Sequence, residues 1–146
     1  RLHIVHDLRR LMKLNRHHSL FQAGRIEQSL AEHGALMQAL HTVAAGIEAF
    51  PLEGLRTRAE RRDHFLVADG HPDNAFIHLT LRIAHGRSLE VRKAAGDALF
   101  EVFCRELQPL LDTRPLALSF EISEIDPALN YKGGNIREYI AKRGAA

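Results

Sequence analysis

Two short stretches carry arginines where a small acid could be met. In "GLRTR", Arg56 and Arg58 stand two residues apart, and in "AHGRSLE", Arg87 follows a glycine just before a run of helical residues. A guanidinium is planar, permanently charged and able to grip both oxygens of a carboxylate at once, which a lysine ammonium does not do. From spacing alone, Arg56 and Arg58 read first as a solvated, charged strand face. Arg56, Arg58, Arg61 and Arg62 also form a cluster dense enough to meet a phosphate backbone. Phe65 is the one aromatic residue nearby, so nucleic acid is not expected as a partner.

Other reactive residue types point less far. The ten histidines include no pair with the spacing of a helix-borne zinc motif, and no metal is expected. His3 and His6 would face opposite sides of a strand, and His17 and His18 fall in a polar loop. Cys104 lies on an apolar helical stripe and reads as a small packed side chain rather than a nucleophile.

The elements that must position the arginines follow from periodicity. Leu36, Leu40, Val43 and Ile47 recur at spacings of four, three and four, the stripe of an amphipathic helix that Gly46 and Pro51 then stop. In "PLEGLRTRAE", Leu55, Thr57 and Ala59 alternate with Arg56, Arg58 and Glu60, which is strand spacing with one charged face. "AFIHLTLRI" alternates Ile77, Leu79, Leu81 and Ile83 against Phe76, His78, Thr80 and Arg82, a second strand with one apolar face. Ser88 suits the N-cap of a helix running to about Leu111, with Glu90 in its first turn. That helix carries too wide an apolar band for one buried neighbour, including Phe100, Cys104 and Leu111, which leaves a strip for a partner subunit to cover. Pro109 should kink or end it, and "RPLALSFEISEI" then alternates Leu116, Leu118, Phe120 and Ile122 as a third strand.

Both "FPLEGLRTRAE" and "RPLALSFEISE" follow a helix and enter a strand through Pro-Leu, so the chain reads as two β-α-β units, with "LHIVH" opening the first and "NIREYIAKR" a short closing helix. Such units have parallel strands and right-handed crossovers. A length of 146 residues suits a single domain spanning 1–146, with a basic inserted segment at about 8–30. Asp7 would cap a short basic helix there, packed on its own subunit or on a neighbour. A net charge of +2, one cysteine and no apolar run of membrane-spanning length give the expectation of a cytoplasmic protein with no membrane partner.

Several long stretches, taken in order, are familiar. "FPLEGLRTRA", "VADGHPDNAFIHLTLRI", "GRSLEVRKAAGDALFE", "LALSFEISEIDPALNYK" and "NIREYI" resemble the 5-carboxymethyl-2-hydroxymuconate isomerases of the tautomerase superfamily. The resemblance implies an α+β fold of tandem β-α-β units with the sheet packed on two helices, assembling as a homotrimer with sites at subunit boundaries and no cofactor. It implies an isomerase of aromatic-compound catabolism, in homoprotocatechuate degradation, turning a carboxylate-bearing enol, a 2-hydroxymuconate-type dienol acid, into its 2-oxo isomer. It assigns carboxylate binding to Arg56 and Arg87, with Arg58 a further candidate, and gives the role of base to an N-terminal proline. This chain opens "RLHIVHDLRR", so the base is the terminal amine of Arg1, a proline preceding Arg1, or some other group, unless the chemistry has been lost. An unperturbed α-amino group titrates at about 7.7–8.0, and neighbouring positive charge lowers it toward a neutral base. The alternative reading is a catalytically silent relative that serves as an oligomeric binding or scaffold protein.

Overall fold

Among the described residues four strands build one sheet, and their pairing shows how the two halves of the chain relate. The computed structural model describes residues 2–6 and 34–144; Arg1, the inserted segment at about 8–30 and the helix expected from Asp7 lie outside the described residues. Strand β1 (Leu2–His6) pairs parallel with β2 (Thr57–Arg61), and β3 (Ala75–Ala84) pairs parallel with β4 (Leu116–Ile125). β1 and β3 run antiparallel, giving the order β2-β1-β3-β4. The two expected β-α-β units are therefore present, joined back to back through their first strands. One consequence bears on function: a single end of the sheet collects the starts of β1 and β2 and the finishes of β3 and β4.

The described part of helix α1 spans 34–45 and buries Leu36, Leu40 and Ala44, one side chain per turn. Val43 and Ile47 of the expected stripe are partly buried beside them. Helix α2 (Leu89–Leu111) buries Ala95, Leu99, Val102, Phe103 and Leu107. These side chains meet Leu2 and Ile4 of β1 and Ile77, Leu79, Leu81 and Ile83 of β3 in one core, so both helices cover the same face of the sheet. Full burial of each large aliphatic or aromatic group contributes about 1.5–3 kcal/mol. Gly96 lets α2 approach β4 closely, because a Cβ there would lie 3.0 Å from Ile122 Cδ1.

Local signals set the ends of the elements. Ser88 Oγ accepts a hydrogen bond from the Val91 amide at 3.2 Å, the expected N-cap of α2. Pro109 does not stop the helix at once; two more residues follow before Asp112 closes it, with its amide bonded to Gln108 O at 2.9 Å. The stretch expected to enter β2 at Leu55 first makes a 3-10 turn (Leu52–Gly54), closed by Gly54 N to Pro51 O at 3.0 Å, and the strand starts only at Thr57. Pro51 fixes its own φ and a glycine ends the turn, which overrides the alternation read from the side chains. Arg56 therefore stands at the mouth of β2 rather than inside it. The chain closes with helix α3 (Ile136–Gly144), which buries none of its residues and rests on the 3-10 turn.

The other face of the sheet carries no helix among the described residues. Its side chains alternate out from the core: Arg58 and Glu60 from β2, His78 and Thr80 from β3, Ser119 and Glu121 from β4. His78 Nδ1 lies 2.6 Å from Ser119 Oγ, so this face has its own polar order.

Candidate active site

A cavity of about 550 Å3 opens at the sheet end where the strand starts and finishes meet. That volume suits a small organic acid. Phe50, Leu55, Leu81, Ile83 and Ile125 give it apolar walls, and the segment from Asn130 to Glu138 closes one side. Its charged lining is unbalanced: Arg56, Arg82, Arg87, Lys132 and Arg137 face two acids, Glu53 and Glu138. Walls of low polarity around an excess of positive charge concentrate the field on an anion, so the cavity is suited to a polycarboxylate.

Arg87 owes its place to three local features. Gly86 takes φ of +122°, a conformation that side-chain-bearing residues rarely adopt, and so turns the chain sharply between β3 and α2. Ser88 then caps the helix, leaving Arg87 in the seam. A brace holds the seam to β4, since Glu124 lies 2.9 Å from both His85 Nδ1 and Arg92 Nη1. The Arg87 side chain reaches across: Nε and Nη2 donate to Ala49 O at 3.0 and 2.6 Å, and Nη1 donates to Ala84 O at 3.1 Å. Its guanidinium also lies 5.6 Å from the Phe50 ring centre. Of the five N–H donors of an arginine, three are thus engaged with main chain, leaving two for a ligand. These bonds also fix the segment after α1 against the end of β3, and that segment leads directly to Arg56.

Arg56 is exposed at the cavity, with Nη1 donating to Gly54 O at 3.2 Å. Its carbonyl accepts from the Leu2 amide at 2.8 Å. Leu2 also pairs with Leu81, a cavity residue, so the head of β1 is bound between two cavity-lining segments. The structure thus brings Arg56 and Arg87 to one cavity. Arg58 is not among the residues that line it; it sits on the open face of the sheet, with Nε 4.0 Å from a Glu60 oxygen. Arg1 lies outside the described residues.

The spacing of residues did not point to Arg82, Lys132 and Arg137. Arg82 was legible as a polar-face residue of its strand but not as a strand-end one. Lys132 and Arg137 flank Gly133 and Gly134 in "KGGNIR", and the paired glycines ahead of a short helix are the one sequence signal for a ligand-wrapping loop there. Arg137 Nη2 is 2.6 Å from Glu53 Oε1. Hydrogen bonding from its own backbone amide holds the Glu53 carboxyl below its ordinary value; burial opposes this, and the charge and hydrogen bond of Arg137 add to the lowering. A carboxylate stabilised in this way is a weak proton acceptor, so Glu53 is a poor candidate for the base.

The model of the 5-carboxymethyl-2-hydroxymuconate isomerase family matches residues 22–140. A relative from Escherichia coli, 5-carboxymethyl-2-hydroxymuconate Delta-isomerase, is 42% identical over 106 residues, 73% of this chain and 84% of that protein. A solved 5-carboxymethyl-2-hydroxymuconate isomerase from Deinococcus radiodurans R1 is 33% identical, covers 95% of this chain and 92% of its own, and superposes with a TM-score of 0.75. More distantly, the fused 4-OT protein W0, a wild-type symmetric trimer, shares the fold at 15% identity and a TM-score of 0.61, over 90% of this chain and 92% of that one.

Proposed function

Because the chain belongs to the 5-carboxymethyl-2-hydroxymuconate isomerase family, we propose that it is a cofactor-independent isomerase that ketonises 5-carboxymethyl-2-hydroxymuconate or a close dienol acid. The observation that carries the reading is the convergence of Arg56 and Arg87, with three further cations, on one cavity at the sheet end. The proposed substrate has three carboxylates, two on the muconate chain and one on its carboxymethyl branch, and needs several cationic contacts in fixed relation. The relatives carry the name of an isomerase, which speaks against the silent scaffold.

In this reading Arg56 and the two unengaged donors of Arg87 hold carboxylates, and the planar dienol lies against the apolar wall of Leu81 and Ile83. A base takes the proton of the 2-hydroxyl, the electrons move along the conjugated chain, and the proton is returned to carbon to give the 2-oxo acid. The proposed base is an amine at the head of β1, either the α-amino group of Arg1 or a proline joined before it. The Leu2–Arg56 bond ties that strand end to the cavity, and the surrounding positive charge keeps an amine there unprotonated near neutral pH. Arg58, on the open face, would reach a ligand only across a subunit contact.

We further propose a homotrimer, with the exposed Val91 and Phe100 of α2 and the open sheet face as the surfaces available to neighbouring subunits. The expected location is the cytoplasm; among the described residues no helix is long and apolar enough to cross a membrane. The test is an ultraviolet assay of ketonisation on 5-carboxymethyl-2-hydroxymuconate against the uncatalysed rate. Saturable acceleration is expected, and a folded, oligomeric protein that gives none would refute the reading.

A further inference from the structure

We propose that Arg137, held over the cavity by Glu53, is a third carboxylate-binding residue, and that this pair sets a preference for acids with three carboxylates over acids with two. The inference rests on the cavity being the isomerase site, and adds to it a residue from the C-terminal helix.

The geometry behind it is a chain of fixed points. Arg87 pins Ala49 to the end of β3; a few residues on, the 3-10 turn presents Glu53, and the same turn's Gly54 carbonyl holds the Arg56 guanidinium. Glu53 therefore stands in a set relation to both expected carboxylate ligands. Arg137 comes from a different element, α3, which has no buried residue of its own to fix it. Its side chain is 80% exposed and would sample many rotamers, but the 2.6 Å contact with Glu53 directs it to the cavity wall. Among the described residues Glu53 is its one partner, and a single N–H suffices for that contact, so most of its five donors remain for a ligand.

Charge explains why the pair belongs together. Glu53 alone at the cavity wall would repel every carboxylate that approached Arg56. Its negative charge is tolerable there because Arg137 neutralises it, and the free edge of Arg137 then offers directed hydrogen bonds to a carboxylate. A ligand with two carboxylates is satisfied by Arg56 and Arg87. A third carboxylate is what Arg137 adds.

Two saturated acids differ in that one group alone. Tricarballylate is glutarate with one further carboxylate on its central carbon. Titration calorimetry of each against the wild-type protein, Arg137→Gln and the double variant Glu53→Gln/Arg137→Gln separates the possibilities. The wild type is expected to favour tricarballylate. Arg137→Gln should weaken tricarballylate about tenfold while changing glutarate by no more than about threefold, the loss of one charge-assisted contact. The double variant should stay weak for tricarballylate. Its full recovery would mean that Arg137 merely neutralises Glu53, and would overturn the proposal. An unchanged ratio of the two affinities in Arg137→Gln, or a wild type that binds both acids equally or neither, overturns it as well. Unaltered thermal melting of the variants shows that the fold is kept, as the exposure of Arg137 predicts. Calorimetry needs no turnover, so a protein that fails the ketonisation assay yet shows this split would refute the isomerase reading and leave the binding role of Arg137 standing.

Discussion

Arg87 and Arg137 line the same cavity and are held in opposite ways. Arg87 is half-buried, bonded to two main-chain carbonyls from different segments and set against the Phe50 ring. Arg137 is exposed, on a helix that buries nothing, and meets a single carboxylate. The first is a structural part of the cavity that also offers donors to a ligand. The second is an adjustable wall. One residue type can thus fix a site or tune it, depending on how many of its donors the protein takes for itself.

Removing the fixed arginine should give the largest effect. Arg87→Ala loses its ligand donors and also frees the segment that carries Glu53 and Arg56, so kcat/KM should fall about 1,000-fold, more than one charged contact accounts for. The melting temperature should fall by roughly 2–8 °C, since part-buried hydrogen bonds are lost with the contact. Steady-state kinetics beside thermal melting checks both; activity lost with no change in melting would mean that the backbone contacts do not matter.

A milder change separates the adjustable wall from the rest by pH. The folded Glu53 carboxyl titrates below its ordinary value of 4.5, so whatever the Glu53–Arg137 pair contributes is fully present above 4.5 and is lost as the pH falls through the lower folded value. The two tyrosines of the chain, Tyr131 and Tyr139, both lie exposed in the C-terminal segment, and no tryptophan masks them. Tyrosine fluorescence should therefore stay flat from neutral pH down to 4.5 and change below it, while Glu53→Gln shows no such transition. The smallest effect belongs to Arg58, on the open sheet face with Glu60. An exposed ion pair contributes little, so Arg58→Ala should leave melting unchanged and kcat/KM within about twofold. A large loss of activity would place Arg58 in a neighbouring subunit's cavity.

Much of this was legible in the sequence because it rests on local rules. The alternation in "AFIHLTLRI" gave the core face of β3, Ser88 gave the start of α2, and the Pro-Leu entries gave two β-α-β units. Gly86 before Arg87 marked a turn that must deliver a side chain. Less was legible where the outcome depends on distance in the fold. Alternation put Arg56 and Arg58 on one strand face, yet the 3-10 turn ahead of β2 sends Arg56 to the sheet end and leaves Arg58 on the open face. Nothing local says that Arg137 will meet a glutamate 84 residues earlier. Nor does any pattern show that three donors of Arg87 go to main chain, because carbonyls carry no sequence signal.

The isomerase reading places the binding and isomerisation of the dienol acid in the cavity at the sheet end. Arg56→Ala tests it most directly, because Arg56 is exposed and its one described side-chain bond, to Gly54 O, is also exposed, so its loss should not disturb the fold. The expected result is a fall in kcat/KM of about 10- to 100-fold with unchanged melting, the cost of one charge-assisted contact to a carboxylate. A variant that keeps kcat/KM within twofold of the wild type would contradict the claim.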